Sequence, residues 1–199
     1  MRLVQIKPLF FKANTFKTSI FKGMALIGLA LISTLSFATP SKSTLQQWHQ
    51  WPTVGSADLD FMFFDVYTSE LRSPKGQYQV GNDISPHPVA LAITYERNIS
   101  KNHLLKETKK QWEHLGYHHS QSSQWLDRLN NIYPDVALGD QLVYITDGLS
   151  GAFVYIEKDG LAQWRGEISD EALNDAFLAI WLSPNTEYPK HRQQLIGLN

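Results

Sequence analysis

Between Gln141 and Ile168 the chain runs through three short segments of alternating apolar and polar residues separated by turn dipeptides. Asp147-Gly148 and Ser150-Gly151 lie between Gln141–Thr146 and Phe153–Lys158, and Asp159-Gly160 leads straight into Leu161–Ile168. An Asp-Gly pair between alternating segments is a strong local hairpin signal, because a type I′ turn needs positive φ at both central residues. The pattern predicts three consecutive antiparallel strands. A sheet built from hairpins has no use for strand–helix–strand crossovers, so parallel α/β folds with glycine-rich phosphate loops are excluded.

The remaining segments fit around that sheet. Leu59 to Tyr67 (LDFMFFDVY) is dense in aromatic and branched residues and reads as a buried strand, and Pro88 to Arg97 reads as another. From Ser100 to Gly116 the apolar residues recur at helical spacing, with Ser100 placed as the cap. A second helix is expected over Gln121–Ile132, where Trp125, Leu126, Leu129 and Ile132 share a face and Pro134 acts as the stop. Leu173, Ala176, Phe177, Ile180 and Trp181 follow the i, i+3, i+4, i+7, i+8 spacing of an amphipathic helix, which Ser169 or Asp170 caps and Ser183-Pro184 ends. A short helix is expected near His191–Ile196. Strands before and after a helical pair, without alternation, predict an α+β domain, an open antiparallel sheet with helices on one face.

Charge divides the chain. Five of its 18 Lys and Arg residues fall in the first 22 positions and no acid precedes Asp58, leaving 13 basic against 19 acidic residues beyond. Such an acidic remainder is repelled by phosphates, which excludes nucleic acid and anionic membrane surfaces as expected partners. The basic start, the apolar run Met24–Leu35 and Ser36-Phe37-Ala38 have the form of a secretory signal peptide over 1–38, and the apolar run is shorter than the ~20 residues of a membrane span. The expectation is a mature domain of 39–199, periplasmic in a bacterium, with residues 39–46 as a flexible leader. The chain has no cysteine, so disulfides, thiolate nucleophiles and Cys-bound metals are excluded.

Four fragments occur in a fixed order: Phe64-Asp65-Val66-Tyr67; Leu91-Ala92-Ile93-Thr94-Tyr95-Glu96-Arg97-Asn98-Ile99; Tyr133-Pro134-Asp135-Val136 with Gly139-Asp140; and Phe177 to Pro184 (FLAIWLSP) after Gly166-Glu167-Ile168. Together they resemble the exported bacterial chalcone isomerase-like family over about residues 50–197. The resemblance implies an open antiparallel sheet backed by helices, with a cleft between the layers. That fold serves both ring-closing enzymes and fatty-acid binders, so it leaves activity open. The enzymes carry a Thr where Met62 stands and a Tyr near Asn102-His103, and the Arg they share with the binders falls at Asp58-Leu59-Asp60. No catalytic residue carries over.

Alternation along the 88–97 strand puts Leu91, Ile93, Tyr95 and Arg97 on one face. An apolar floor ending in a phenol and a guanidinium suits an acyl chain with a carboxylate, since Arg gives charge-assisted hydrogen bonds. Phe61 and Phe63, on one side of the preceding strand, would extend the lining. The competing reading is a core strand whose Arg97 pairs with an acid such as Asp135. His114 and His118 have metal-site spacing, but a helix ending near Gly116 removes its meaning, and a solvated loop is expected there. Of the six tryptophans, Trp112, Trp125 and Trp181 fit core positions, while Trp48 and Trp51 are candidates to rim a cleft. The expected function is binding of a small apolar, fatty-acid-like ligand without catalysis, metal or cofactor. The alternatives are an isomerase with a non-standard residue set and an interaction module whose cleft is filled by its own side chains.

Overall fold

The computed structural model describes residues 47–61 and 64–198. The expected signal peptide and leader, with Met62 and Phe63, lie outside them. Six strands form one sheet in sequence order, each antiparallel to the next: β1 (Thr53–Phe61), β2 (Phe64–Arg72), β3 (Val89–Tyr95), β4 (Gln141–Thr146), β5 (Gly151–Ile156) and β6 (Ala162–Ile168). Between β3 and β4 come α1 (Lys101–His114) and α2 (His119–Ile132); after β6 come α3 (Glu171–Leu182) and α4 (Pro189–Leu195). The expected order of strands, two helices, strands and two helices holds. The caps hold as well. Ser100 Oγ accepts the His103 N–H at 3.3 Å, and Asp170 accepts from Ala172 N at 3.0 Å and Leu173 N at 3.3 Å.

The expected strand Leu59–Tyr67 is corrected. It divides into the end of β1 and the start of β2, which pair with Phe61 opposite Phe64 and Leu59 opposite Tyr67. A reversal this short normally shows itself by Asn, Asp or Gly, and the run has none at Met62-Phe63. β1 itself (TVGSADLDF) is too polar to stand out beside its aromatic neighbour.

Register sorts the side chains. Leu91, Ile93 and Tyr95 of β3 face the helices, in one core with Tyr144, Phe153, Trp112, Leu129 and Phe177. Phe177 lies 4.9 Å from Phe153 and 4.7 Å from Tyr144 between ring centroids. The Trp112 indole donates to the Ala176 carbonyl at 2.7 Å, tying α1 to α3. The opposite sheet face is covered differently. Ala90, Ala92, Val143 and Ile145 pack against Trp51, with Trp48 at the margin. These two tryptophans therefore cover the back of the sheet and rim no cleft on its helix side. Trp51 is held by its own carbonyl, which accepts from Arg72 Nη1 at 2.9 Å. Among the described residues, no helix is long and apolar enough to cross a membrane.

Candidate functional site

A cavity of about 640 Å³ lies between β1–β3 and the helices α1 and α3. Cross-strand register builds its floor: Leu59, Tyr67 and Tyr95 stand side by side on three neighbouring strands, and Ile93 with Leu142 forms the next row. Leu104 and Thr108 of α1 and Phe177, Ile180 and Trp181 of α3 close it from above. Trp181 is thus a wall of the cavity as well as a core residue. A space of this size and apolar lining is ordinary for a small-molecule site.

Four tyrosines line this space, Tyr188 beside α4 and three others in different states. Tyr133 lies 3.3 Å from Thr108 Oγ1, whose own proton goes to the Leu104 carbonyl at 2.9 Å, so Tyr133 is the donor. Tyr67 accepts the Trp181 indole N–H at 2.9 Å and keeps its own proton. The hydroxyl of Tyr95, a residue 4% exposed, has no hydrogen-bond partner among the described residues. Burial raises the pKa of all three well above that of a free phenol, and for Tyr95 the neighbouring Tyr133 and Tyr67 add to it. They remain neutral O–H groups throughout the physiological range.

Arg97 stands at the mouth. β3 ends at Tyr95, so Arg97 lies two residues past the strand, in a loop whose course is fixed by the residues of the third sequence fragment. Ile99 bridges Val136, Asn98 accepts the Leu138 N–H at 2.9 Å, and Gly139 donates to the Tyr95 carbonyl at 2.7 Å. Gly139 has φ of 91°, and a Cβ there would meet the Lys158 side chain at 2.8 Å. Asp135, the acid considered as a partner for Arg97, instead accepts the Lys101 N–H at 2.7 Å. The Arg97 guanidinium is exposed and has no ion pair or hydrogen bond to another described residue.

Elsewhere on the rim, Glu187 accepts from Gln111 Nε2 at 2.6 Å and meets Lys110 Nζ at 3.4 Å, linking the α3–α4 connection to α1. Those contacts, Gln111 first, hold the Glu187 carboxyl below the usual carboxylate range.

Of the residues singled out from sequence, Ile93, Tyr95 and Arg97 meet at this cavity. The side-chain course of Phe61 is not described and Phe63 lies outside the described residues; β1 ends at Phe61 and β2 starts at Phe64. His114 ends α1 and His118 precedes α2, which separates the pair, and His114 Nε2 lies 3.1 Å from the Asn185 carbonyl. Sequence reasoning missed Tyr67 and Trp181 as site residues. Tyr67 closes the first quoted fragment, but only the β2–β3 register, which sets it against Tyr95, shows where it points.

No protein-family model matches the chain. A Haemophilus influenzae protein described as uncharacterized is 30% identical over 151 residues, which span 74% of this chain and 68% of that protein. The chain belongs to that protein's family. Among solved structures, a fatty-acid binding protein of Arabidopsis thaliana matches with a TM-score of 0.52 at 10% identity, covering 73% of this chain and 86% of that one. At that identity the likeness speaks of fold alone: the six-stranded sheet with its helical layer is the chalcone isomerase fold, as the four fragments imply.

Proposed function

We propose that the protein holds a small apolar molecule with an acidic end in the cavity between sheet and helices, and does not transform it. The observation that carries this is the cavity of about 640 Å³, lined largely by apolar and aromatic side chains, with a guanidinium at its mouth that has no ion pair among the described residues. A cleft filled by its own side chains would leave no such volume, which counts against the interaction-module reading. The Arabidopsis protein of the same fold is named for binding fatty acids, so a long-chain acid is the ligand class to test first. Met62 and Asn102-His103, at positions where the similar enzymes have Thr and Tyr, support the absence of catalysis. In this reading the chain is an exported bacterial chalcone isomerase-like protein that works in the periplasm after loss of residues 1–38.

Native mass spectrometry after exposure to mixed lipids tests the binding. Wild type should retain single-chain acids, and Arg97→Met should weaken a long-chain acid by about 1.5–3 kcal/mol, the worth of a hydrogen bond to a charged group, without a lower melting temperature. Unchanged affinity with a lowered melting temperature would retire Arg97 as the anchor, and saturable turnover of a chalcone would overturn the non-catalytic reading. Sequencing of periplasmic material should give an N-terminus near Thr39; an intact Met1 chain in the membrane fraction would refute export.

A further inference from the structure

We propose that Tyr67 and Tyr95 together bind one acceptor oxygen of the ligand, so that the cavity selects a molecule carrying a carbonyl or carboxylate oxygen on an apolar body. This rests on the ligand-holding reading above and adds a polar determinant inside the cavity, separate from Arg97. A hydroxyl that opens onto a cavity with no protein partner is free to hydrogen-bond whatever occupies that cavity. Tyr95 is 4% exposed and lines the cavity, and its hydroxyl has no hydrogen-bond partner among the described residues. Tyr67 is its cross-strand neighbour, their rings 6.3 Å apart in an edge-to-face arrangement.

The direction of each hydrogen bond decides what the pair can recognise. Because the Trp181 indole can only donate, the Tyr67 oxygen is the acceptor in that contact and its proton remains free. Tyr95 has its whole hydroxyl available. Tyr133 donates to Thr108 and is engaged within the protein. The interior therefore offers two neutral donors from adjacent strands and suits an oxygen with two lone pairs, which can take both protons at once; an ammonium group would find an acceptor in the Tyr95 oxygen but would leave both phenol protons unused. The Trp181 indole and the ring of His191, 5.9 Å from that of Tyr67, both contact Tyr67.

The test uses the full folded protein and three ligands of similar length: decanoic acid, 2-undecanone and decylamine, each titrated against bound anilinonaphthalenesulfonate. The acid and the neutral ketone should displace the dye at lower concentration than the amine. Tyr95→Phe should weaken both acid and ketone about 5–10-fold, the effect of one neutral hydrogen bond. Its melting temperature without ligand should be equal to or above wild type, since the substitution removes only an unpartnered hydroxyl. Tyr67→Phe should weaken the same two ligands, with some loss of stability because the Trp181 N–H is left unpaired. Arg97→Met should weaken the acid alone. If both Tyr variants bind the acid as wild type does while Arg97→Met does not, the phenol pair is not a recognition element and the ligand-holding reading survives. If wild type binds neither acid nor ketone, both fall.

Discussion

His191 sits where α4 crosses the first two strands, with Nε2 2.7 Å from Ser69 Oγ and Nδ1 3.2 Å from the Asp58 carbonyl. Its ring meets the edge of Tyr67, and the charge it feels from β1 is that of Asp58. Burial holds the imidazole pKa below its ordinary value of 6.5, against a weaker upward pull from Asp58. The unfolded chain therefore takes up this proton at a higher pH than the folded one. Stability should be full above about pH 6.5 and fall as pH drops from there toward the depressed folded value. Denaturant midpoints of wild type and His191→Gln between pH 7.5 and 5 check this: the wild-type decline should flatten in the variant, and identical slopes would assign it to other groups. The sequence marks His191 only as a residue of a short terminal helix. Its partners Asp58 and Ser69 are more than a hundred positions away, so no local pattern could reveal the contact.

Helix α3 shows what period alone can and cannot read. Its five apolar positions are buried, and Phe177 packs 5.2 Å from Trp181 as the spacing predicts. Phe177, 2% exposed and wedged between Tyr144 and Phe153, should cost about 3–5 kcal/mol when cut to Ala. Both residues line the cavity, but Trp181 is the more exposed, 9% against 2%, so fewer contacts are lost there, and Trp181→Ala should cost less in stability than Phe177→Ala while weakening ligand binding more. Denaturant melts beside ligand titrations separate the two; equal losses in both measurements would mean that Trp181 is ordinary core. The loop between β3 and α1 is the opposite case. Extending the strand's alternation points to Arg97, although the strand stops at Tyr95 and contacts with Val136, Leu138 and Gly139 guide the chain to the cavity. Gly139→Ala, strained at φ 91°, should loosen that loop and weaken an acid ligand even though residue 139 touches no part of the cavity.

For the domain formed by the described residues, the layer order was legible because hairpin turns and helical periods are local, whereas the cover on the back of the sheet was not. A tryptophan near the start of a domain has no periodic neighbours to say which face it will meet. Trp51 reaches Ala90, Ala92, Val143 and Ile145, residues whose small or branched side chains leave room for an indole. The sheet thus separates two apolar layers: the back layer is closed, and the helix layer contains the cavity. Backbone pairing joins the layers, but their buried side chains form two separate clusters, and substitutions without shared partners add nearly independently. Ile145→Val on the back and Ile180→Val over the cavity should each cost about 0.5–1.5 kcal/mol. Together they should sum to within about 0.5 kcal/mol, and only Ile180→Val should change ligand affinity. Melts of the two single variants and the double variant, with titrations of each, measure both quantities. A coupling above about 1 kcal/mol, or a changed affinity in Ile145→Val, would mean that the sheet transmits packing from its back to the cavity, and Trp51 would then count among the residues that shape the ligand site.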